Sequence, residues 1–424
     1  MKSSDKKYQA YIGILRTELV PATGCTEPIA LAYCAAKARH VLGAMPDRVK
    51  IEASGNIIKN VKSVIVPHTD GKKGIAAAAA IGIISGDADA ELEVLHATTK
   101  EQTAQLDDYL ASTQFTILPI NSDEVLDILV HVYHGDDYAA VRISGKHTNI
   151  VHIEKNGEIL FDKECVKEKK HADYSLLTMD DIYDFAMTVE LSDIDELITK
   201  QIECNTALSV EGLKNDYGAN VGKVLLSAWG NDIRNRARAK AAAGSDARMN
   251  GCILPVIINS GSGNQGMTVC LPLVEYAEEL GSSKEQLYRA MILSNLLAVY
   301  IKTGIGTLSA YCGAVSAGAA AGAGIAHLRG GDYEAIKQTI INTLAITSGI
   351  ICDGAKASCA AKIASSVEAA ILGYEMHLRG QKFEGGDGIV GDSVEKTIRN
   401  VGILGKEGMR ETDKKILEIM TCID

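Results

Sequence analysis

Twenty-four consecutive residues, 303–326, read "TGIGTLSAYCGAVSAGAAAGAGIA" and carry no charge. Few folds accept such a stretch. It is long enough to cross a bilayer as a helix. Yet it is built from Gly, Ala, Ser and Thr, whose small apolar area gives little drive into lipid. The reading that fits better is a buried helix in a tightly packed helical domain, with no membrane partner. Its glycines predict a break in the helix, or a place where backbone comes close to a bulky ligand.

The rest of the chain agrees with a soluble globular protein. With 424 residues it is long enough for a large core and for two domains. A formal net charge of −11 opposes nucleic-acid binding. The one basic run, "RNRARAK" (Arg234, Arg236, Arg238, Lys240), reads as a solvated helix face or as a source of one arginine for a substrate carboxylate. The N-terminus "MKSSDKKYQA" is polar and has no apolar segment behind it, so a cytoplasmic location is expected. In that setting the ten cysteines (25, 34, 165, 204, 252, 270, 312, 352, 359 and 422) are thiols that are buried, catalytic or metal-bound, not a disulfide framework.

Residues 4–18 predict a first helix. "VPATGCTEP" is a turn, with Thr26 as N-cap of a second helix to about Ala38 and Pro28 in its first turn. Cys25 then sits at the positive end of a helix, where a thiolate is favoured. From 48 to 165 the texture changes. "VKIEAS", "VKSVIVP", "ELEVL" and "FTILPI" read as strands, "GIAAAAAIGIIS" as a helix. Period-two alternation then runs through "YAAVRISGKHTNIVHIEKNGEILF", with Asn156-Gly157 as a hairpin turn. The polar segment 166–180 suits a linker, and from 179 onward helical spacing dominates, broken by glycine-rich stretches at 244–266, 303–324, 349–354 and 385–391. The expected fold is α+β: N-terminal helices (1–47) packed on a helical domain, a mixed, largely antiparallel sheet domain (48–165), and a large Gly/Ala-rich all-helical domain (179–424).

Candidate chemistry gathers at few places. Gly261 to Gly266, "GSGNQG", can cradle an anion or carboxylate through successive backbone N–H groups, with Ser262 and Asn264 as side-chain donors. It carries neither the P-loop lysine nor a dinucleotide fingerprint. His68, between a strand and a helix in "VPHTDGKKG", suits a general base, with Lys73 of the same loop behind it. Lys356 suits a substrate carboxylate. Cys312 and Cys352 each have glycine nearby, Gly313 and Gly354, where backbone can approach a cofactor. Cys352 and Cys359 are seven apart, which puts them on one face of a continuous helix. No residue marks a pyridoxal-phosphate Schiff base, and no close-spaced cysteine motif of the familiar cluster type is present.

Four motifs together, "ELVPATGCTEPIA", "NGCILPVIINSGSGNQG", "SAYCGAVSAGAAAGAG" and "GIICDGAKASCAAKI", carry a resemblance over roughly 5–415. The chain resembles the bacterial and archaeal L-cysteine desulfidase family, which is related to the α subunit of iron–sulfur L-serine dehydratase. The resemblance implies a [4Fe–4S] cluster held by Cys25, Cys312 and Cys352, with one iron open to substrate. It implies conversion of L-cysteine and water to pyruvate, ammonia and sulfide. Absence of the separate β-subunit-type domain favours the desulfidase branch over a serine dehydratase. Cys252 and Cys359 are further candidate ligands. On this reading His68 or Lys73 takes the α-proton, and Ser262, Asn264 and Lys356 hold the carboxylate. The partners expected are a small amino acid and a second copy of the chain in a homodimer. The competing readings are an L-serine dehydratase or other small-acid hydro-lyase, and a non-catalytic small-molecule-binding protein.

Overall fold

The computed structural model describes residues 1–424 except 121, 123, 164–172, 307 and 422–424. Cys165 and Cys422, the end of the expected sheet domain and much of the expected linker lie outside the described residues. The chain is mixed α+β, with N-terminal helices, then a six-stranded sheet, then helices to the end.

The first helices are α1 (Lys6–Glu18) and α2 (Thr26–Leu42), separated by the short strand β1 (Pro21–Thr23). Next come β2 (Arg48–Ala53), α3 (Gly55–Val61), α4 (Ile75–Ser85), α5 (Lys100–Ala104) and α6 (Leu106–Ser112). The strands β3 (Gln114–Pro119), β4 (Asp127–His134), β5 (Asp137–Ser144), β6 (Ile150–Lys155) and β7 (Glu158–Asp162) complete the large sheet. Its order is β3-β2-β4-β5-β6-β7, and all neighbours are antiparallel except the β2–β3 pair. Alternation does what period two requires: Val49, Ile51, Val130, Val132, Val141 and Ile143 are buried, while Lys50, His131 and Arg142 face outward. Helix α2 covers the buried face, and its Cys34 thiol donates to the Val141 carbonyl at 3.2 Å. The β6–β7 turn has φ of 50° at Asn156 and 83° at Gly157, the left-handed pair that a two-residue hairpin of this twist needs.

The helical part comprises α7 (Met179–Thr188), α8 (Asp195–Lys214), α9 (Val221–Trp229), α10 (Ile233–Met249), the short strand β8 (Pro255–Ile257), α11 (Gly263–Leu280), α12 (Lys284–Ile305), α13 (Gly313–Leu328), α14 (Tyr333–Thr347), α15 (Cys359–Leu378), α16 (Val394–Ile403) and α17 (Arg410–Thr421). At its centre is α13, buried continuously from Ala314 to Ala326 and packed by α11, α12, α14 and α15. The uncharged stretch is thus two helix segments of a crowded interior, and no helix among the described residues is long and apolar enough to cross a membrane. Glycine here permits approach instead of breaking the helix. A Cβ on Gly318 would lie 1.8 Å from Ser366 Oγ on α15. Gly244 likewise lies inside an unbroken α10.

Several local expectations change. Residues 61–67 do not form a strand of the sheet: Val61 ends α3, and Ile65 makes only isolated bridges to Lys73 and Asn250. Residues 91–93 form a single 3₁₀ turn. The second helix is capped by Cys25, not Thr26, and runs to Leu42. Cys352 lies in a loop and Cys359 opens α15, so they do not share a helix. The run Arg234–Lys240 is ion-paired to Glu275, Glu279 and Glu368 and is not free to meet a substrate. Helix α1 packs through Tyr8 and Tyr11 on Phe185 of α7.

Candidate active site

Six pieces of chain, spread from residue 25 to residue 359, meet around a cavity of about 90 Å³. The α2 N-terminus brings Cys25, Thr26 and Glu27. The β5–β6 turn brings His147. The end of α10 brings Arg248, the turn before α11 brings Ser260 to Gln265, and the segments around 302–314 and 352–359 bring Lys302, Cys312, Gly313, Cys352, Gly354 and Cys359. Strand β1 pairs with β8, which fixes the α2 start beside the 259–262 turn, and the Thr26 hydroxyl reaches the Gly261 carbonyl at 3.0 Å. That turn has φ of 51° at Ser260 and 76° at Gly261 and leads into α11, which Ser262 caps through Gln265 N–H. An antiparallel bridge between Tyr311 and Ile351 sets the Cys312 and Cys352 segments side by side.

The charges are unusual for an interior. Glu27 is 8% exposed; it accepts from Cys25 Sγ at 3.1 Å and Asn60 Nδ2 at 3.2 Å, with His147 Nε2 at 3.9 Å. Burial pushes its carboxyl up, but the neighbouring imidazole and thiol outweigh it and hold the pKa at about 2, so Glu27 is ionised. Cys25 shows the reverse. Burial, then the Glu27 charge, raises its thiol well above the ordinary range, so the helix terminus does not leave a thiolate there as expected from its position.

Arg248 is 2% exposed and Lys302 is 8% exposed, and among the described residues neither pairs with a carboxylate. Arg248 Nε finds no acceptor, and its Nη1 meets the Met249 sulfur at 3.9 Å. Asn264 Oδ1, Gln265 Oε1 and His147 Nε2 are buried without hydrogen-bond partners too. Buried polar atoms are seldom left unpaired. A set of them around one small cavity marks a place for a compact ligand carrying both negative charge and donors.

The thiols form a second feature. Cys312 and Cys352 line the same cavity close enough for each thiol to shift the other, and Cys359 is near enough for its charge to act on Cys312. The neighbouring Cys312 lowers the Cys352 thiol, aided by Lys59 and Lys302, while Cys312 is raised. Among the described residues no three His, Cys, Asp or Glu side chains close around a point as a single ion requires. Four soft sulfur donors lining one cavity instead suit a larger iron–sulfur group. Glycine leaves room beside them. A Cβ on Gly313 would meet Gln265 Nε2 at 2.9 Å and Lys302 Nζ at 3.1 Å; one on Gly354 would meet the Lys59 carbonyl at 2.5 Å.

Residues 89–418 match the serine dehydratase alpha chain family, over three quarters of the sequence. The chain belongs to that family. Relatives of this serine dehydratase-like alpha protein align along its whole length. A UPF0597 protein of Desulfitobacterium hafniense is 56% identical over 422 residues, covering 99% of this chain and 98% of the relative. One from Lachnoclostridium phytofermentans is 53% identical, covering 97% and 99%, and one from Treponema denticola is 48% identical, covering 99% of each.

The structure brings together Cys25, Cys312, Cys352, Ser262, Asn264, Gly313 and Gly354 in one cavity. It does not bring three others there. His68 lines a separate cavity of about 560 Å³ with Asp70, Lys100 and Asn250. Lys73 is exposed. Lys356 is turned to Asp353 at 2.5 Å, which Lys362 shares. Cys252, also weighed as a ligand, is buried elsewhere, beside Tyr217. Sequence reasoning passed over Glu27 and Arg248, and read His147 as a structural or exposed hairpin residue, whereas it is buried at the cavity. The signal available for Glu27 was its place one residue after Thr26 in the quoted motif; Arg248 and His147 had none.

Proposed function

We propose that the protein is an iron–sulfur-dependent lyase that converts L-cysteine and water to pyruvate, ammonia and sulfide. The observation that carries this reading is the meeting of Cys312, Cys352, Cys359 and Cys25 with two buried basic side chains, Arg248 and Lys302, around one small cavity. Cys25, Cys312 and Cys352 would hold a [4Fe–4S] cluster, with Cys359, which packs with Cys25, as the neighbouring thiol. When bound, the cluster supplies a Lewis-acidic iron that draws the leaving sulfur of the substrate.

The chain's own residues do the rest. Arg248, with Ser262, holds the substrate carboxylate in a water-poor site, where a charge-assisted fork is strong. The ionised Glu27 and the free Asn264 oxygen receive the α-ammonium. Lys302, whose buried ammonium is pushed below its ordinary pKa by desolvation, takes the α-proton as the amine. His68 and Lys73 stand outside this cavity. Loss of the α-proton and of sulfide leaves an enamine, which tautomerises and hydrolyses to pyruvate and ammonia.

A second reading, L-serine dehydratase, is favoured by the family's own description. Anaerobic reconstitution with iron and sulfide, followed by assay on both amino acids, separates the two. Sulfide and pyruvate released in equal amounts from L-cysteine, with slower pyruvate release from L-serine, is the expected result. Faster turnover of L-serine would transfer the assignment. Wild-type iron content in Cys312→Ala would remove the cluster site altogether.

A further inference from the structure

The last helix, α17, reaches back to the site through one buried ion pair. Lys59 of α3 is 1% exposed, and its ammonium pairs with Asp413 of α17. The same ammonium lies 3.5 Å from the carbonyl oxygen of Cys352. The Lys59 carbonyl underlies Gly354, whose φ of +95° and lack of a Cβ allow the two backbones to touch. Lys59 therefore grips the 352–354 segment at two points. Its charge also acts on the Cys352 sulfur. Helix α17 is anchored to α3 at two further places, by Leu417 packed on Gly55 and by Lys62 bonded to the Met420 carbonyl.

A buried ion pair is a poor device for stability. An apolar pair of similar size serves as well or better. A lysine so deeply buried, pointed at the backbone of a cavity cysteine, has a use beyond packing. Thiolates around an inorganic cluster make an anionic assembly, and a fixed cation behind one of them opposes that charge where water cannot.

We propose that Lys59 is a positioning residue for the cluster site, fixing the Cys352–Gly354 segment and setting a positive charge behind it, and that Asp413 makes α17 an integral wall of that site. This rests on the iron–sulfur reading above. The test compares anaerobically reconstituted full-length wild type with Lys59→Met/Asp413→Leu, which removes both charges without stranding either, and with Lys59→Arg, which keeps the cation. The readouts are iron and acid-labile sulfide per chain, the rate of iron loss to a chelator, the reduction potential, and the thermal melt of the iron-free proteins. The double variant is expected to melt like wild type when iron-free, to lose iron about ten-fold faster, and to have a lower potential. Lys59→Arg is expected to recover most of the retention. Iron loss at the wild-type rate in the double variant overturns the inference while leaving the iron–sulfur reading intact. A wild type that takes up no iron overturns both.

Discussion

Replacing Arg248 by methionine should make the protein more stable and less active at once. The guanidinium is 2% exposed, its Nε has no acceptor, and no carboxylate among the described residues pairs with it. A buried charge without a partner costs several kcal/mol even after relaxation. Methionine fills much of the same volume with no charge to desolvate, and it adapts to irregular gaps. The net expectation is therefore a gain of about 1–3 kcal/mol in the iron-free protein, read by denaturant unfolding. If Arg248 holds the substrate carboxylate, the same change removes a charge-assisted bond of about 1.5–3 kcal/mol. That corresponds to a fall in kcat/KM of about 10- to 150-fold. The two signs oppose each other, so general damage to the fold does not imitate the result. A destabilised variant with unchanged kcat/KM would refute the reasoning and make Arg248 a structural residue.

Other outcomes follow from the same geometry. Lys302→Met should lower kcat by at least about a thousand-fold with the iron content retained, whereas His68→Gln, outside the cavity, should cost less than about ten-fold; a reversed order would return the base to His68. Asp246, fully buried on α10, has its carboxyl raised to about 6 by desolvation. Its folded pKa lies above the unfolded one, so it supports the fold at low pH and loses that support as pH rises from about 4 to about 6, by at most about 3 kcal/mol. Asp246→Asn should remove that slope in unfolding measurements across the window; an unchanged slope would place it on another group. Gly318→Ala would force a methyl against Ser366, whose hydroxyl is bonded to the Val315 carbonyl at 2.5 Å, and should destabilise by about 1–3 kcal/mol. A melt like that of wild type would mean that α13 and α15 separate easily.

The fold was legible wherever a pattern was local. The Asn156-Gly157 turn, the alternation through β5 and β6, and the small-residue helix α4 are all written in short windows. The errors arose where apolar runs found other partners. Residues 64–66 look like a strand, yet Val64 packs on Cys25 and Met249 under the cavity and never enters the sheet. In the site, the cysteines were visible because turn and glycine residues surround them. Arg248 was hidden because it ends a helix whose earlier arginines are all ion-paired. His147 was hidden for a different reason. Only the docking of the sheet's end on α2 brings its ring near Glu27.

The cavity draws its walls from Cys25 at one end of the chain to Cys359 near the other, and its rear support from Asp413. A protein made from its N-terminus on the ribosome, at about 5–20 residues per second, cannot line such a chamber until Cys359 has emerged, nor brace it until Asp413 has followed. Any inorganic group it carries must be delivered after that point.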